Sequence, residues 1–149
     1  MTKVLMVCLG NICRSPLAEG ILQSKLNSKD VFVDSAGTAG YHVGNAPDPR
    51  SIAVAKKYGI DISQQQCRKF SVLDFDRFDS IFVMDKNNYR DILVKARNQQ
   101  DEEKVKLLLN EIELSIDEVP DPYYGGEDGF EKVFAMIDTA CKTIAQKLK

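Results

Sequence analysis

The chain has 149 residues, of which 44% are hydrophobic and 28% are charged, and its formal net charge is −2. A chain of this length suits one domain with a substantial hydrophobic core. The charge and composition argue against nucleic acid or an anionic membrane surface as a partner, and no apolar run approaches the ~20 residues that cross a bilayer.

Four cysteines occur without forming a Cys-x-x-Cys pair: Cys8, Cys13, Cys67 and Cys141. His42 is the one histidine, so the sequence also lacks the ligand spacing of a zinc site. Few, unpatterned cysteines are typical of an intracellular protein that keeps its thiols reduced. We therefore expect a cytoplasmic protein that needs no metal or other cofactor.

The first predicted element is a strand over residues 4–7, a continuous apolar run typical of a strand that is buried on both faces. No small-residue cleavage site follows the run, so we do not expect a signal peptide. Ser15 and Pro16 predict the start of a helix, with Ser15 as the cap and Pro16 as the first helical residue. Apolar residues then follow at helical spacing: Leu17, Ile21, Leu22 and Leu26.

Residues 31–33 predict a second strand that ends near Ser35. A loop rich in glycine and proline follows over residues 37–49. The next helix is expected to end at Tyr58, because Gly59 is a typical residue just after a helix.

The second half of the chain begins with residues 61–79, where the pattern favours neither a helix nor a strand. Residues 80–84 predict the third strand and residues 105–109 a fourth. A helix between them is indicated by four residues: Tyr89, Ile92, Leu93 and Ala96. The acidic run over residues 101–103 is expected to be a solvated loop. The last helix carries one apolar stripe: Phe130, Val133, Phe134, Ile137, Cys141, Ile144 and Leu148.

Strands that alternate with helices predict an α/β fold with a parallel sheet, helices on both faces and right-handed crossovers. We expect a single three-layer domain over residues 1–149. Ligands of such folds bind outside the carboxyl ends of the strands. This rule indicates four places for a site: the loop after Val7, Ser35, Asp85 and the loop that carries Asp121.

The loop after the first strand, residues 8–15, reads Cys-Leu-Gly-Asn-Ile-Cys-Arg-Ser and opens the first helix. Such a loop can curl around the three non-bridging oxygens of a phosphate monoester and offer them successive backbone N–H groups at the positive end of a helix. Gly10 and Asn11 tolerate the unusual backbone angles of a curl, and Arg14 offers a two-pronged donor. The lysine of a Walker motif and the glycines of a dinucleotide-binding motif are missing. We call residues 8–15 the phosphate loop.

The same surroundings predict that Cys8 is a nucleophile. A free cysteine has a pKa of ~8.5, and a helix N-terminus with a nearby arginine favours the thiolate. We expect this thiolate to face a phosphorus atom held by the loop. A hydrogen bond from Ser15 to the sulfur would make it a better leaving group in a later step.

These residues resemble a known family. Cys-x5-Arg-Ser resembles the signature of cysteine-based tyrosine phosphatases, and CLGNICRSP near the N-terminus resembles their low-molecular-weight class. The resemblance continues along the chain through Asp-Ser-Ala at 34–36, Val-Gly at 43–44, Pro-Asp-Pro-Arg at 47–50, Met-Asp at 84–85 and Asp-Pro-Tyr-Tyr-Gly at 121–125. It implies a four-stranded parallel sheet in the order 2-1-3-4, with helices on both faces.

The resemblance implies hydrolysis of phosphotyrosine in proteins, or of small aryl phosphates, through a phosphocysteine. Cys8 attacks phosphorus while Asp121 protonates the leaving phenolate, and Asp121 then activates the water that hydrolyses the intermediate. The transferring group is held by the phosphate-binding residues: Leu9, Gly10, Asn11, Ile12, Cys13, Arg14 and Ser15. Phosphate, sulfate or vanadate should occupy the same site.

Further residues are expected to support this site. Asn11, Ser15 and Ser35 would hold the loop, and Asp85 would orient Arg14. A histidine takes part in this network in the family, but the matching stretch 64–68 reads Gln-Gln-Gln-Cys-Arg, so one supporting contact should differ. The expected pocket walls suit a flat phenyl ring: Leu9, Ile12, Tyr41, Tyr123 and Tyr124.

Three alternatives remain at this stage. Arsenate reduction uses the same loop but needs two further cysteines close together, and Cys67 has no neighbouring cysteine. Arginine phosphatases resemble this chain but carry threonine at the position of Ile12. A non-catalytic phosphotyrosine-binding module would have lost Cys8, Arg14 or Asp121. A reversible Cys8–Cys13 disulfide under peroxide and phosphorylation of Tyr123 or Tyr124 are additional hypotheses.

Overall fold

Four short apolar segments form one parallel sheet in the computed structural model, which describes residues 1–111, 117–122 and 126–148. The strands are β1 (Thr2–Cys8), β2 (Val31–Gly37), β3 (Ser80–Val83) and β4 (Val105–Leu107). Their order is β2-β1-β3-β4 and every pairing is parallel, which confirms the predicted sheet.

Helices cover both faces of this sheet, as predicted. They are α1 (Arg14–Ser24), α2 (Pro49–Lys57), α3 (Asp74–Arg77), α4 (Lys86–Leu93), α5 (Gln99–Lys104) and α6 (Gly126–Leu148). Successive side chains of a strand point to opposite faces. Val4 and Met6 of β1 accordingly pack in the larger core with α1, α2 and α6, while Leu5 and Val7 pack in the smaller core with α3 and α4.

Helices α2 and α6 confirm two expectations from the sequence. The second helix ends at Lys57, with Tyr58 at its cap and Gly59 at a positive φ of 81°. The apolar stripe of the last helix is buried along α6. None of the described helices is long and apolar enough to cross a membrane.

The predicted start of the first helix is wrong. Helix α1 begins at Arg14 with Cys13 at the cap position, so Pro16 is its third residue instead of its first. Proline is tolerated there because the first four N–H groups of a helix have no intrahelical partner. The hydroxyl of Ser15 does not cap the helix but lies 3.0 Å from the sulfur of Cys8.

The acidic run at residues 101–103 is also not a solvated loop. It lies in helix α5, where the Asn98 side chain accepts a hydrogen bond from the Asp101 N–H. Asp101 itself is buried, and its carboxylate accepts hydrogen bonds from the backbone N–H and side chain of Arg97. A local cap and one ion pair therefore turn a charged run into a short helix.

Parallel pairing brings the candidate site residues to one edge of the sheet. Cys8 pairs with Gly37 at the end of β2, and β3, which precedes Asp85, pairs with the other side of β1. Glycine is required at position 37, since a Cβ atom there would lie 2.8 Å from the carbonyl oxygen of Leu9. This contact lets the phosphate loop lie directly against β2.

Candidate active site

The carboxyl end of β1 opens into a cavity of about 250 Å³. Its lining residues are Cys8, Leu9, Gly10, Ile12, Cys13, Arg14, Tyr41, His42 and Asp121. They belong to the phosphate loop, the loop after β2 and the segment before α6. The fold thus gathers Cys8, Arg14 and Asp121, which are distant in the sequence, around one space.

The backbone of the phosphate loop turns several of its carbonyl groups away from this cavity. The N–H groups of Thr38, Ala39 and Asp48 donate to the carbonyl oxygens of residues 8, 9 and 12, at 2.9, 2.9 and 2.8 Å. In a trans peptide the C=O and the following N–H point in opposite directions. The N–H groups of residues 9, 10 and 13 therefore point away from these outer donors, as an anion-binding loop requires.

Asn11 carries the one positive φ in the loop, 57°. It is 1% exposed, and its side-chain Oδ1 accepts the backbone N–H of Arg68 at 3.0 Å. Its Nδ2 donates to Ser15 Oγ at 2.8 Å and to Ser35 Oγ at 2.9 Å. The expected contacts among Asn11, Ser15 and Ser35 are therefore present in the structure.

Gly10 does not adopt the unusual backbone angles that were expected of it in a curled loop. Its φ is not in the left-handed region, which Asn11 alone occupies in this loop. A Cβ atom at Gly10 would lie 3.2 Å from Cδ2 of His42. A side chain at this position would require the His42 ring to shift by a few tenths of an ångström.

The directions of the hydrogen bonds in this network favour a Ser15 hydroxyl whose proton points at the Cys8 sulfur. Ser15 Oγ accepts from Asn11, so its own proton remains available to the sulfur 3.0 Å away. The Ala36 carbonyl, at 3.5 Å, is a poorer acceptor for that proton. The hydroxyl is thus placed to stabilise a negative charge on sulfur.

Glu19 completes the network, although it was not among the predicted site residues. The Ser35 hydroxyl donates to Glu19 Oε1 at 2.7 Å. Glu19 lies four residues after Ser15 on α1, so the two share a helix face, and that spacing was the available signal. Burial raises the pKa of Glu19 to about 7, although the hydrogen bond from Ser35 acts in the opposite direction.

This shift gives a testable pH dependence of stability. The folded protein holds the Glu19 proton more tightly than the unfolded chain does. The free energy of unfolding therefore falls as the pH rises from about 4.5 to about 7. Relative to Glu19→Gln, the wild type should lose up to about 3 kcal/mol across this window. Urea unfolding of both proteins at pH 5, 6, 7 and 8 measures the difference, and parallel pH profiles would contradict it.

Arg14 is held in place under the cavity. Its side chain is nearly buried, and Nη1 donates to Asp85 Oδ2 at 2.7 Å and to the carbonyl oxygen of Val119 at 2.9 Å. The other Asp85 oxygen accepts the Asn88 N–H and caps α4. Burial lowers the pKa of Arg14, but the negative charges of Cys8 and Asp85 outweigh it and raise the pKa, so the guanidinium stays charged.

The other two cysteines near the loop are neutral thiols. Burial, reinforced by Asp48, raises the pKa of Cys13 to about 12. Burial, reinforced by the charge of Cys8, raises the pKa of Cys67 to about 11. All four cysteines of the chain are free and buried, and the raised pKa values make Cys13 and Cys67 poor candidates for a nucleophile.

The expected pocket walls are placed only in part. Leu9, Ile12 and Tyr41 line the cavity, and the Tyr41 ring is 76% exposed at its rim, edge-on to His42. Tyr123 and Tyr124 lie outside the described residues. His42, which was not among the predicted site residues, lines the cavity as well. Within the described ranges, no group of His, Cys, Asp and Glu side chains is arranged to hold a metal ion.

Comparison with known proteins gives consistent matches. A family model described as low molecular weight phosphotyrosine protein phosphatase matches residues 3–149. The protein of that name from Schizosaccharomyces pombe is 45% identical over 146 residues, which cover 92% of each chain. The crystal structure of a protein tyrosine phosphatase from Entamoeba histolytica, with Hepes in its active site, has a TM-score of 0.94 and 38% identity, covering 99% of this chain and 97% of that one. Vibrio vulnificus Wzb in complex with benzylphosphonate has a TM-score of 0.87 and 30% identity, covering 98% of both.

Proposed function

The chain belongs to the low molecular weight phosphotyrosine protein phosphatase family and is therefore a hydrolase that acts on phosphotyrosine; from this premise we propose how its residues perform the reaction. Cys8 is the nucleophile, Arg14 and the phosphate-loop amides bind the phosphoryl group, and Asp121 is the general acid and base. The observation that carries the proposal is that Cys8, Arg14 and Asp121 line one cavity.

In the first step, the Cys8 thiolate attacks phosphorus in line with the leaving oxygen. A phosphorus–sulfur bond forms, the phosphorus–oxygen bond to tyrosine breaks, and Asp121 gives its proton to the departing phenolate. The charge of the transferring group rests on Arg14 and on the inward N–H groups, which need no rearrangement during the reaction. The Asp85 and Val119 contacts support this role, because they fix the guanidinium before substrate arrives.

In the second step, Asp121 removes a proton from a water molecule that attacks the phosphocysteine. Inorganic phosphate leaves and the sulfur departs as a thiolate. The Ser15 hydroxyl, 3.0 Å from the sulfur, stabilises that leaving group. The network of Asn11, Ser35 and Glu19 keeps the Ser15 proton directed at the sulfur in both steps.

The substrate class follows from the walls of the cavity. Leu9, Ile12 and Tyr41 offer apolar surface to a phenyl ring, and the complex of Wzb with benzylphosphonate contains a phosphonate that carries a phenyl ring bound to a relative. We propose phosphotyrosine proteins and small aryl phosphates as substrates, with phosphate, sulfate or vanadate as competing ligands. Ile12 in place of threonine favours phosphotyrosine over phosphoarginine.

The remaining parts of the proposal concern the whole protein. We propose that residues 1–149 form one catalytic domain, since the family model covers residues 3–149. A cytoplasmic location suits an enzyme whose four cysteines are all free, because a reducing compartment preserves its nucleophile. The proposed reaction uses no metal and no other cofactor, and neither nucleic acid nor a membrane is a partner.

A substrate panel tests this function. The wild type should hydrolyse p-nitrophenyl phosphate and phosphotyrosine peptides equally well with and without EDTA, and vanadate should inhibit it competitively. Phosphoserine and phosphoarginine peptides should be poorer substrates by at least about tenfold, since they lack a ring to fill the apolar walls. Faster release of phosphate from phosphoarginine, or arsenate turnover coupled to thioredoxin, would support one of the alternative activities instead.

A further inference from the structure

The phosphate loop has further outer donors besides the three backbone N–H groups. Two side chains from other parts of the chain also bind its carbonyl groups. The Cys67 thiol donates to the carbonyl oxygen of Asn11 at 2.7 Å, and the Ser51 hydroxyl donates to the carbonyl oxygen of Cys13 at 3.2 Å. Five carbonyl groups of the loop are therefore held from outside the cavity, two of them by side chains that substitution can remove.

Cys67 acts on the residue of the loop whose conformation is the least favourable. A φ of 57° is costly for any residue with a side chain, asparagine included, and needs support from its surroundings. Cys67 binds the main-chain oxygen of Asn11, and the N–H of Arg68 binds its side-chain oxygen at 3.0 Å. Two consecutive residues thus fix both oxygens of Asn11.

Each of these outer contacts fixes the orientation of one peptide plane of the phosphate loop. When the Asn11 carbonyl is bound on the outside, the N–H of Ile12 points in the opposite direction, away from the outer donor. In the same way, Ser51 fixes the peptide between Cys13 and Arg14 and directs the N–H of Arg14. Each side chain therefore controls the aim of one N–H donor.

Both donors are themselves held firmly. The backbone N–H of Cys67 donates to the Asn45 carbonyl, and the Cys67 carbonyl accepts the Gly44 N–H, both at 2.8 Å. Ser51 is fully buried in the first turn of α2, and its N–H donates to the Asp48 carbonyl. The Cys67 thiol is 4% exposed, and its pKa of about 11 keeps the proton that it donates.

We propose that Cys67 and Ser51 are positioning residues of the phosphatase site, which aim the N–H groups of Ile12 and Arg14 at the transferring phosphoryl group. This inference rests on the proposed function, because it assigns the two residues to the reaction of that site. Neither residue touches the substrate, and each acts through one loop carbonyl. The contact of Cys67 with Asn11 also supports the loop in a chain that lacks the histidine of the family's network.

The test compares variants that keep or remove the donor. Cys67→Ala removes the thiol, Cys67→Ser keeps a donor, and Cys141→Ala removes a buried thiol in α6 whose sulfur is 4.0 Å from its nearest acceptor, the Ala18 carbonyl. The readouts are the inhibition constant of vanadate, kcat and KM for p-nitrophenyl phosphate, and the Tm. Vanadate is chosen because it occupies the loop as the transferring group does.

We expect Cys67→Ala to raise the vanadate inhibition constant and to lower kcat/KM by about three- to tenfold, the worth of one hydrogen bond. Cys67→Ser should stay within about twofold of the wild type. Cys141→Ala should lower the Tm without changing either constant. Equal vanadate inhibition in Cys67→Ala and Cys141→Ala, or a Cys67→Ser variant as impaired as Cys67→Ala, would overturn the role of Cys67.

Ser51 supplies an independent pair of variants. Ser51→Ala should raise the vanadate inhibition constant by a similar factor, and Ser51→Thr, which retains the hydroxyl, should recover most of it. Vanadate inhibition that is unchanged in Ser51→Ala would overturn the role of Ser51. A wild type without phosphatase activity would instead contradict the proposed function, so the two failures are distinguishable.

Discussion

Replacing Cys8 by serine is expected to lower kcat/KM for p-nitrophenyl phosphate by at least about a thousandfold. Asp121, the one carboxylate among the described cavity-lining residues, cannot activate a serine hydroxyl because the first step requires it as an acid. An alcohol is also a far weaker nucleophile than a thiolate at neutral pH. The variant loses bond formation to phosphorus and with it the whole reaction.

The pocket itself should survive this substitution. Serine replaces the sulfur of the buried Cys8 side chain by a smaller oxygen and introduces no clash, so the outer donors, Arg14 and the Asn11 network keep their contacts. Cys8→Ser should therefore bind a phosphotyrosine peptide with a Kd close to the wild-type KM. Isothermal titration of the variant with the peptide measures this, next to a stopped assay of turnover.

The matched control is Cys141→Ala, which changes another buried cysteine that does not line the cavity and should retain wild-type kcat. Rapid-quench experiments with the wild type should also trap a phosphorylated protein at acid pH, and Cys8→Ser should give none. Residual turnover above about one hundredth of the wild-type rate would mean that another residue is the nucleophile.

Elements with an uninterrupted apolar pattern were predictable from sequence. Residues 4–7 and the stripe of α6 are buried almost completely, so their hydrophobic periodicity alone predicts them. The fourth strand ends at Leu107, two residues before the apolar run does, because Leu108 starts a turn of 3-10 helix. Local hydrophobicity does not distinguish a buried strand from a buried turn.

The wrong start of α1 has a functional reason. Rules for helix caps treat Ser15 as a residue that serves its own helix. In this fold the hydroxyl faces the Cys8 sulfur, and the helix begins earlier, so that Arg14 and its N–H lie at the first turn. Local rules fail here because a residue that they assign to the helix serves the site.

Cys67 and Ser51, two residues of the site that were missed, act on residues far from them in sequence. Cys67 binds Asn11 across 56 positions, and nothing in the stretch 64–68 marks a donor to the loop. Ser51 looks like any serine in the first turn of a helix. The phosphate loop was predictable because its eight residues are contiguous, whereas the groups that hold it depend on how α2 and the loop after β2 pack against it.

Asp121→Asn is expected to lower kcat for a phosphotyrosine peptide by about 10²- to 10⁴-fold, with a smaller change in KM. Asparagine has nearly the same shape as aspartate but cannot give a proton to the phenolate or take one from water. Asp121 lies on the wall of the cavity and is the one acidic residue among the described lining residues. The described lining therefore holds no second carboxylic acid that could replace it.

The dependence on leaving group separates this role from simple binding. p-Nitrophenolate leaves readily without a proton, whereas unsubstituted phenolate needs one, so the loss in the variant should be larger for phenyl phosphate than for p-nitrophenyl phosphate. A pre-steady-state burst of p-nitrophenol should also become more prominent if hydrolysis of the phosphocysteine, which needs Asp121 as a base, slows more than its formation.

Asp117→Asn is the matched control. Asp117 is an acidic residue of the same segment, but it lines a neighbouring groove outside the catalytic cavity and pairs with Lys86 at 3.5 Å. Its substitution should leave kcat and the dependence on leaving group unchanged. Equal losses for phenyl phosphate and p-nitrophenyl phosphate in Asp121→Asn would argue that Asp121 only shapes the pocket. A selective loss for the poorer leaving group shows instead that its proton is transferred in the step that breaks the phosphorus–oxygen bond.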